Sequence, residues 1–200
     1  MNTNVELKQS LMEKLVQVIL ESLTKDRDLD RIDYLKCKLG LETFLINISK
    51  MSVVYGLAIL TGLFWQVLIF HLAYMSIRTY AYGVHSESSL QCTIISCIIL
   101  IGFPAILVAF QIPRISFIVI YVVNHIILQK YAPAATKKNG ISNLCEMRKS
   151  KLRNKALKAN FVILIISLLI PILFIGNLLM IGSMLACVMI TPVAYKLLIK

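Results

Sequence analysis

The chain has 200 residues, of which 58% are hydrophobic, and its mean hydropathy is +0.78. This composition excludes an ordinary soluble domain, and the length fits a single domain. The formal net charge is +11, but no nucleic-acid-binding module accompanies the basic residues, so nucleic acid is not an expected partner. Five cysteines occur without paired spacing, so the sequence predicts no metal site, no other cofactor and no disulfide framework.

The first 40 residues are expected to form amphipathic helices at the membrane interface. Residues 5–23 have the apolar spacing of a helix, a charged linker covers residues 26–33, and a second helix begins near Asp33. The apolar face of the first helix consists of Leu11, Leu15, Val18, Ile19 and Leu23. Acidic and basic residues balance over residues 1–50, so attraction to anionic lipid is expected to be weak there.

Long uncharged runs predict an all-α, polytopic membrane bundle within residues 41–200 of one integral membrane domain. A helix needs about 20 residues to cross a bilayer. Four transmembrane helices are clear in the sequence. The first pair covers residues 92–110 and 115–128, with a turn at 112–114, and the second covers 159–175 and 178–195, with a turn at Gly176-Asn177.

Residues 41–77 have two interpretations. Residues 51–77 form one tilted crossing, or residues 41–77 form a hairpin that turns near Thr61-Gly62 and raises the number of spans to six. The hairpin places Lys50 inside a span, which costs about 3 kcal/mol unless the side chain reaches the interface or pairs. We favour the hairpin, because it puts the N-terminal helices on the same side as the C-terminus.

Basic residues concentrate in a predicted loop at residues 130–158. Residues 137–158 contain eight Lys or Arg side chains and one acid, Glu146. Lys and Arg are retained on the cytoplasmic side of membrane proteins, so we expect this loop in the cytoplasm. Both helix pairs begin and end on one side, which puts the stretch "VHSESSLQC", residues 84–92, on the cytoplasmic side as well.

His85 and Cys92 are the candidate catalytic residues of that stretch. In one continuous helix they would lie about 10.5 Å apart along the axis, too far for proton transfer. Ser89 favours a break, because it is a suitable N-cap for the apolar helix that follows and would put Cys92 in its first turn. Helix N-termini stabilise thiolates, and a histidine base beside a cysteine nucleophile is suited to acyl transfer. Glu87 either orients His85 or is a solvated loop residue.

Other polar residues in the apolar segments have a structural interpretation. His71 and His125 lie in predicted spans, where a helix–helix hydrogen bond is expected for each, and Asn124-His125 is the best candidate for a polar contact inside the bundle. Cys97 is expected to pack as a small apolar side chain.

The stretch "RTYAYGVHSESSLQC" resembles the signature of the AgrB (accessory gene regulator B) family of membrane cysteine peptidases. A second stretch, "KYAPAATKKNGI", residues 130–141, is similar to the Tyr-Ala-Pro segment that follows a span in that family. Departures occur at Tyr82-Gly83, where many members have a glycine pair, at Ala134-Ala135, where an aspartate is frequent, and at the end of the second stretch.

The resemblance implies a function in quorum sensing at the bacterial cell membrane. Family members cleave the C-terminal tail from an AgrD-type propeptide and help to close the remaining fragment into a cyclic thiolactone or lactone. The resemblance makes Cys92 the nucleophile and His85 the general base, at the cytoplasmic side of a multi-pass protein, and it implies membrane lipid as surroundings and a homodimer. Arg78, Lys137 and Lys138 either attract the acidic tail of the propeptide or only set the topology.

Two alternatives remain at the level of the sequence. A non-enzymatic membrane transporter or assembly protein would have the same hydrophobicity, and in such a protein His85 and Cys92 would have no catalytic role. A membrane acyltransferase would use the same pair on a lipid substrate.

Overall fold

The computed structural model describes residues 11–24, 30–82, 89–134 and 144–198. The helices are α1 (Leu11–Thr24), α2 (Arg31–Leu60), α3 (Phe64–Ala81), α4 (Ser89–Ala109), α5 (Ile115–Tyr131), α6 (Glu146–Leu169), α7 (Leu173–Val188) and α8 (Pro192–Leu198). The described residues contain no strand, so the all-α prediction is confirmed for them.

The chain divides into two compact units, Met1–Val53 and Val54–Lys200. In the first unit, α1 buries Val16 and Leu20, while Leu15 and Val18 are exposed. The predicted apolar face is expected to meet the membrane or a partner, and it stays a prediction. The second predicted helix begins at Arg31 and continues unbroken to Leu60.

A tight turn at residues 61–63 separates α2 from α3, as the hairpin interpretation requires. Gly62 has a φ of 70°, a left-handed conformation that favours glycine. α3 runs back along the end of α2, where the Tyr55 hydroxyl and His71 Nδ1 are 2.7 Å apart. This contact confirms the predicted helix–helix hydrogen bond of His71. An unbroken helix over residues 51–77 is wrong.

The core of the unit Val54–Lys200 consists of α3, α5, α6 and α7, with α4 against α3 and α7. The closest approach is between α3 and α7. A Cβ added at Gly182 would lie 2.6 Å from the carbonyl oxygen of Phe70 and 3.2 Å from the Ala73 Cβ. Only glycine at this position lets the two backbones approach so closely.

The turn between α4 and α5 falls at residues 110–114, as predicted, but the predicted turn at Gly176-Asn177 is wrong. The chain turns at Ile170–Ile172, because Pro171 cannot continue a helix and disfavours helical backbone at Ile170. Gly176 lies inside α7, where an added Cβ would lie 2.7 Å from the ring of Phe117. Arg114 joins the two turns by donating hydrogen bonds to the carbonyls of Ile170, at 2.8 Å, and Pro171.

The predicted basic loop is helical from Glu146 onwards. α6 runs without a break through its basic half, residues 146–158, into an uncharged half, residues 159–169. Its helical residues continue across the predicted membrane boundary at Ala159. This continuity holds the basic side chains at fixed positions relative to the apolar bundle.

One described helix, Arg31–Leu60, has by itself the length and apolar composition to cross a bilayer. Three shorter apolar helices accompany it, at Thr93–Ala109, Ile115–Tyr131 and Leu173–Val188. The predicted number of four to six crossings stays a prediction.

The unit Val54–Lys200 buries a few polar side chains within its apolar core and exposes many large apolar side chains. Asn124 Nδ2 donates to Ser183 Oγ at 3.2 Å and to Asn160 Oδ1 at 3.4 Å, and all three residues are fully buried. The polar contact predicted at Asn124 is confirmed. Large apolar side chains face outwards on α4, α5 and α6; they include Ile98, Val119, Ile126, Phe161 and Leu169.

We expect Gly182→Ala to lower the thermal stability of the protein by about 2–10 °C, because overpacking against the Phe70 carbonyl costs about 1–3 kcal/mol. Gly102→Ala is the matched control, since Gly102 lies in α4 with nothing within 4 Å of an added Cβ, and alanine favours helix. Thermal melting followed by circular dichroism in a neutral detergent measures both. Equal melting temperatures for the two variants would contradict the close α3–α7 contact.

Candidate functional site

The candidate site begins at the C-terminal end of α3. Tyr82, which follows α3, has φ 59° and ψ −144°, and its N–H donates to the Arg78 carbonyl at 2.9 Å. A non-glycine residue with positive φ is uncommon, and such strain persists only where the surrounding structure holds it. Tyr82 thus turns the chain sharply just before Gly83, the first residue of the stretch that contains His85.

A backbone bridge holds this turn against the end of α5. Tyr82 pairs with Ala134 as an isolated parallel bridge, and the Ala134 N–H donates to the Ala81 carbonyl at 2.8 Å. Ala81, Ala132 and Ala134 are all buried in the core cluster, and the Ala132–Pro133 peptide bond is cis. Small side chains allow the two backbones to meet there.

The bridge joins the two sequence stretches that carry the family resemblance, although about 50 residues separate them. His85 is three residues beyond Tyr82, and Lys137 and Lys138 are three and four residues beyond Ala134. Three extended residues span at most about 11 Å. His85, Lys137 and Lys138 lie outside the described residues, but the residues that precede their segments, Tyr82 and Ala134, are paired in the bridge.

Cys92 lies at the start of α4. The helix begins at Ser89, so Cys92 is its fourth residue and belongs to the first turn, as the sequence predicts. Ser89 is the first residue of the helix, whereas an N-cap residue precedes the helix. The prediction of Ser89 as the N-cap is therefore wrong by one position. The contact between His85 and Cys92 remains a prediction.

Three cation–tyrosine contacts surround the α3 and α5 ends. Arg78 Cζ lies 5.6 Å from the Tyr74 ring centroid, and Lys155 Nζ lies 5.7 Å from that of Tyr80. Lys130 Nζ lies 5.4 Å from the Tyr131 centroid. Cations over aromatic faces are attracted by the ring quadrupole. The C-terminal ends of α3 and α5 are therefore positively charged.

Arg78 is half-buried in the last turn of α3, beside the bridge. His125 Nε2 contacts the amide of Gln129 in its own helix at 3.0 Å, so its predicted helix–helix bond is wrong. Cys97 is half-buried in α4, which fits the predicted packing role. Among the described residues, no three His, Cys, Asp or Glu side chains come together as metal ligands.

Sequence reasoning missed Ala81, Tyr80 and Lys155 at this site. Ala81 and Tyr80 stand within the first stretch and carry no chemistry that would single them out. Lys155 stands in the basic segment, where its spacing indicates only a charged helix or loop. The bridge depends on which helix ends meet, which sequence spacing does not encode.

The fold and this site define an all-α protein with a cysteine in the first turn of α4 and basic side chains at the ends of α3 and α5. The chain belongs to the accessory gene regulator B family, because the profile of that family matches residues 12–191. Membership ties the chain to the accessory gene regulator system of quorum sensing.

Individual relatives agree with the family match. The chain is 43% identical to the accessory gene regulator protein B of Staphylococcus carnosus over 162 residues, which cover 81% of this chain and 83% of that protein. It is 36% identical to an AgrB-like protein of Listeria innocua over 198 residues, or 98% and 94% of the two chains. The corresponding protein of Staphylococcus epidermidis is 39% identical over 142 residues, or 71% and 73%. No solved structure matches the chain.

We expect cysteines introduced at Tyr82 and Ala134 to form a disulfide on mild oxidation, in a chain whose five native cysteines are replaced by alanine. Bridged neighbours lie within the Cα separation of about 4.4–6.8 Å that a disulfide needs. Mass spectrometry of the digested protein detects the linked peptides. The control pair is Tyr82→Cys with Arg114→Cys, because Arg114 precedes α5 at its other end, about 25 Å along the helix. Equal linkage in both pairs, or none at Ala134, would contradict the bridge.

Proposed function

We propose that this protein is a membrane cysteine endopeptidase that cleaves the C-terminal tail of an AgrD-type propeptide and promotes its cyclisation. The observation that carries the proposal is the start of α4 at Ser89. It gives Cys92 a helix N-terminus, in a chain that belongs to the accessory gene regulator B family. Six residues, including His85, connect Tyr82 to that helix.

The electrostatics of the helix start favour Cys92 as the nucleophile. The unpaired N–H groups and the positive end of the helix dipole stabilise a thiolate in the first turn. Among the described residues of the unit Val54–Lys200, the one carboxylate is Glu146, and it pairs with Lys149 at 2.9 Å. Among the described residues, a thiolate at this end would therefore meet cations, and Glu87, which precedes α4 in the sequence, lies outside them.

The reaction has two steps on this proposal. His85 accepts the thiol proton, Cys92 Sγ attacks the scissile carbonyl, and His85 returns the proton to the departing amine of the tail. The peptide remains as a thioester on Cys92. A thiol or hydroxyl of the peptide then attacks this thioester, releases Cys92 and closes the ring. Exchange between thioesters is nearly neutral in free energy, so this step needs no ATP if water is excluded.

Positive charge beside the bridge suits an acidic propeptide tail. Arg78 lies in the last turn of α3, and Lys137 and Lys138 follow Ala134 of the bridge by three and four residues in the sequence. On this proposal these three side chains hold the tail while its scissile bond reaches Cys92. The interaction would be weakened by salt, because exposed charges are screened at high ionic strength.

The many exposed large apolar side chains of the bundle support a location in the cell membrane. A water-exposed surface with so many large apolar side chains would aggregate, whereas a bilayer covers it. Buried hydrogen bonds such as Asn124 to Ser183 stabilise helix contacts inside lipid. The basic half of α6 then faces the cytoplasm, together with the site. The same proposal includes that the protein forms a homodimer and that membrane lipid surrounds it.

We expect Cys92→Ala to abolish cleavage of a co-expressed propeptide and His85→Ala to lower it roughly 1,000-fold or more, because each removes a partner of the nucleophilic step. Cys97→Ala is the matched control, since Cys97 lies five residues further along the same helix and should leave cleavage unchanged. Mass spectrometry of the propeptide measures the shortened product and the covalent thioester. Cleavage by Cys92→Ala at the wild-type rate would refute the mechanism, whereas absence of cleavage by wild-type protein would favour the non-enzymatic alternative.

Lys137→Gln with Lys138→Gln should raise KM for the propeptide roughly tenfold with little change in kcat, because each surface charge contributes about 1 kcal/mol or less to binding. Lys36→Gln with Lys38→Gln removes the same charge from α2, where Lys36 pairs with Asp33, and should leave KM unchanged. Cleavage kinetics in proteoliposomes measure both pairs. An unchanged KM for the first pair, with normal membrane insertion, would show that these lysines only set topology.

A further inference from the structure

A row of cations lies along one face of α6. Arg148, Lys151, Lys155 and Lys158 follow at intervals of three or four residues, so they share a stripe of the helix. With Leu152 and Asn154 they line an open groove of about 480 Å³. All four cations are exposed. We call this surface the α6 groove.

The described part of the chain supplies no acidic partner to the α6 groove. Glu146 is the one described acid near it, and it lies towards the other side of α6, where it accepts a hydrogen bond from Lys149. That hydrogen bond, with the charges of Lys149 and Arg153, lowers the pKa of the Glu146 carboxyl. The positive charge of the groove is therefore left for a partner outside the described residues.

The same stripe changes from basic to apolar along the helix. At 100° per residue, Val162, Ile166 and Leu169 continue the line of Lys151, Lys155 and Lys158. All three apolar side chains are exposed, Leu169 at 76%, and no charge follows Lys158 on this helix. An occupant that matches the whole stripe has an anionic head and long apolar chains.

We propose that the α6 groove binds the phosphate headgroup of an anionic phospholipid, whose acyl chains lie along Val162, Ile166 and Leu169. The proposal rests on the membrane location in the proposed function. An acidic peptide would match the cations alone and leave the apolar half of the stripe uncovered. Basic clusters at the end of a membrane helix attract anionic lipid with about 1 kcal/mol per side chain.

The bound lipid would lie beside the candidate site. Lys155 lines the groove and lies over the ring of Tyr80, two residues before Tyr82 at the bridge. A headgroup in the groove would fix the depth of α6 in the bilayer and, through Lys155 and Tyr80, the height of the α3 end. The lipid is therefore positioned to set where the bridge lies relative to the membrane surface.

Native mass spectrometry of the full chain in a neutral detergent tests the groove, with dioleoyl phosphatidylglycerol and dioleoyl phosphatidylcholine as probes. Wild-type protein should retain phosphatidylglycerol selectively. Lys151→Gln with Lys158→Gln should weaken its binding about thirtyfold. Lys149→Gln with Arg153→Gln is the matched control, because it removes the same charge from the other side of the same helix and should leave binding unchanged. Lys151→Arg with Lys158→Arg should retain it.

Each other outcome overturns the proposal. If the two glutamine pairs weakened phosphatidylglycerol binding equally, the lipid would respond to the overall positive charge of α6 and not to the groove. If phosphatidylcholine bound as well as phosphatidylglycerol, the protein would not recognise the headgroup. Displacement of the lipid by a glutamate-rich decapeptide at lower concentration would make the groove a peptide site. Circular dichroism and gel filtration check that the variants fold. The lipid experiment contains no propeptide, so it tests the lipid proposal alone. The proposed function fails by a different result, namely absence of propeptide cleavage by wild-type protein.

Discussion

The candidate site depends on one backbone hydrogen bond, from the Ala134 N–H to the Ala81 carbonyl, 2.8 Å long. It closes a contact between the ends of α3 and α5, where Ala81 and Ala134 are both buried. An unpaired backbone group buried at this point would cost about 1–3 kcal/mol, so the bridge favours a single arrangement of the two ends.

The interior polar contacts explain how three helices, α5, α6 and α7, keep one packing register. Apolar contacts alone distinguish poorly between neighbouring registers in lipid, because lipid chains compete for the same surfaces. Asn124, Asn160 and Ser183 come from α5, α6 and α7, and they pair only in the observed arrangement. Gly182 and Gly176 then set the distances, because their missing Cβ atoms admit the Phe70 carbonyl and the Phe117 ring. Polar pairs specify the register, and glycines permit the close approach.

The errors of sequence interpretation have specific physical causes. Gly176-Asn177 has the composition of a turn, but Gly176 is needed inside α7 because a Cβ there would clash with the ring of Phe117. The helix before it ends six residues earlier than predicted, because Pro171 cannot continue it. The basic segment beyond Glu146 was predicted as a loop because of its charge, yet lysine and arginine are good helix formers. The turn at Gly62 was predicted correctly, because it depends on local backbone freedom at one glycine.

The sequence by itself determined the helical class, the break near Gly62, the start of a helix before Cys92 and the family resemblance, because hydrophobic runs, glycine, capping residues and short motifs act over a few residues. Only the tertiary structure decided that the end of α3 meets the end of α5, that Lys155 lies over Tyr80, and that Asn124 faces Ser183. These contacts join residues tens of positions apart. They result from the way whole helices pack, and spacing along the chain carries no information about which of the possible packings fills space best.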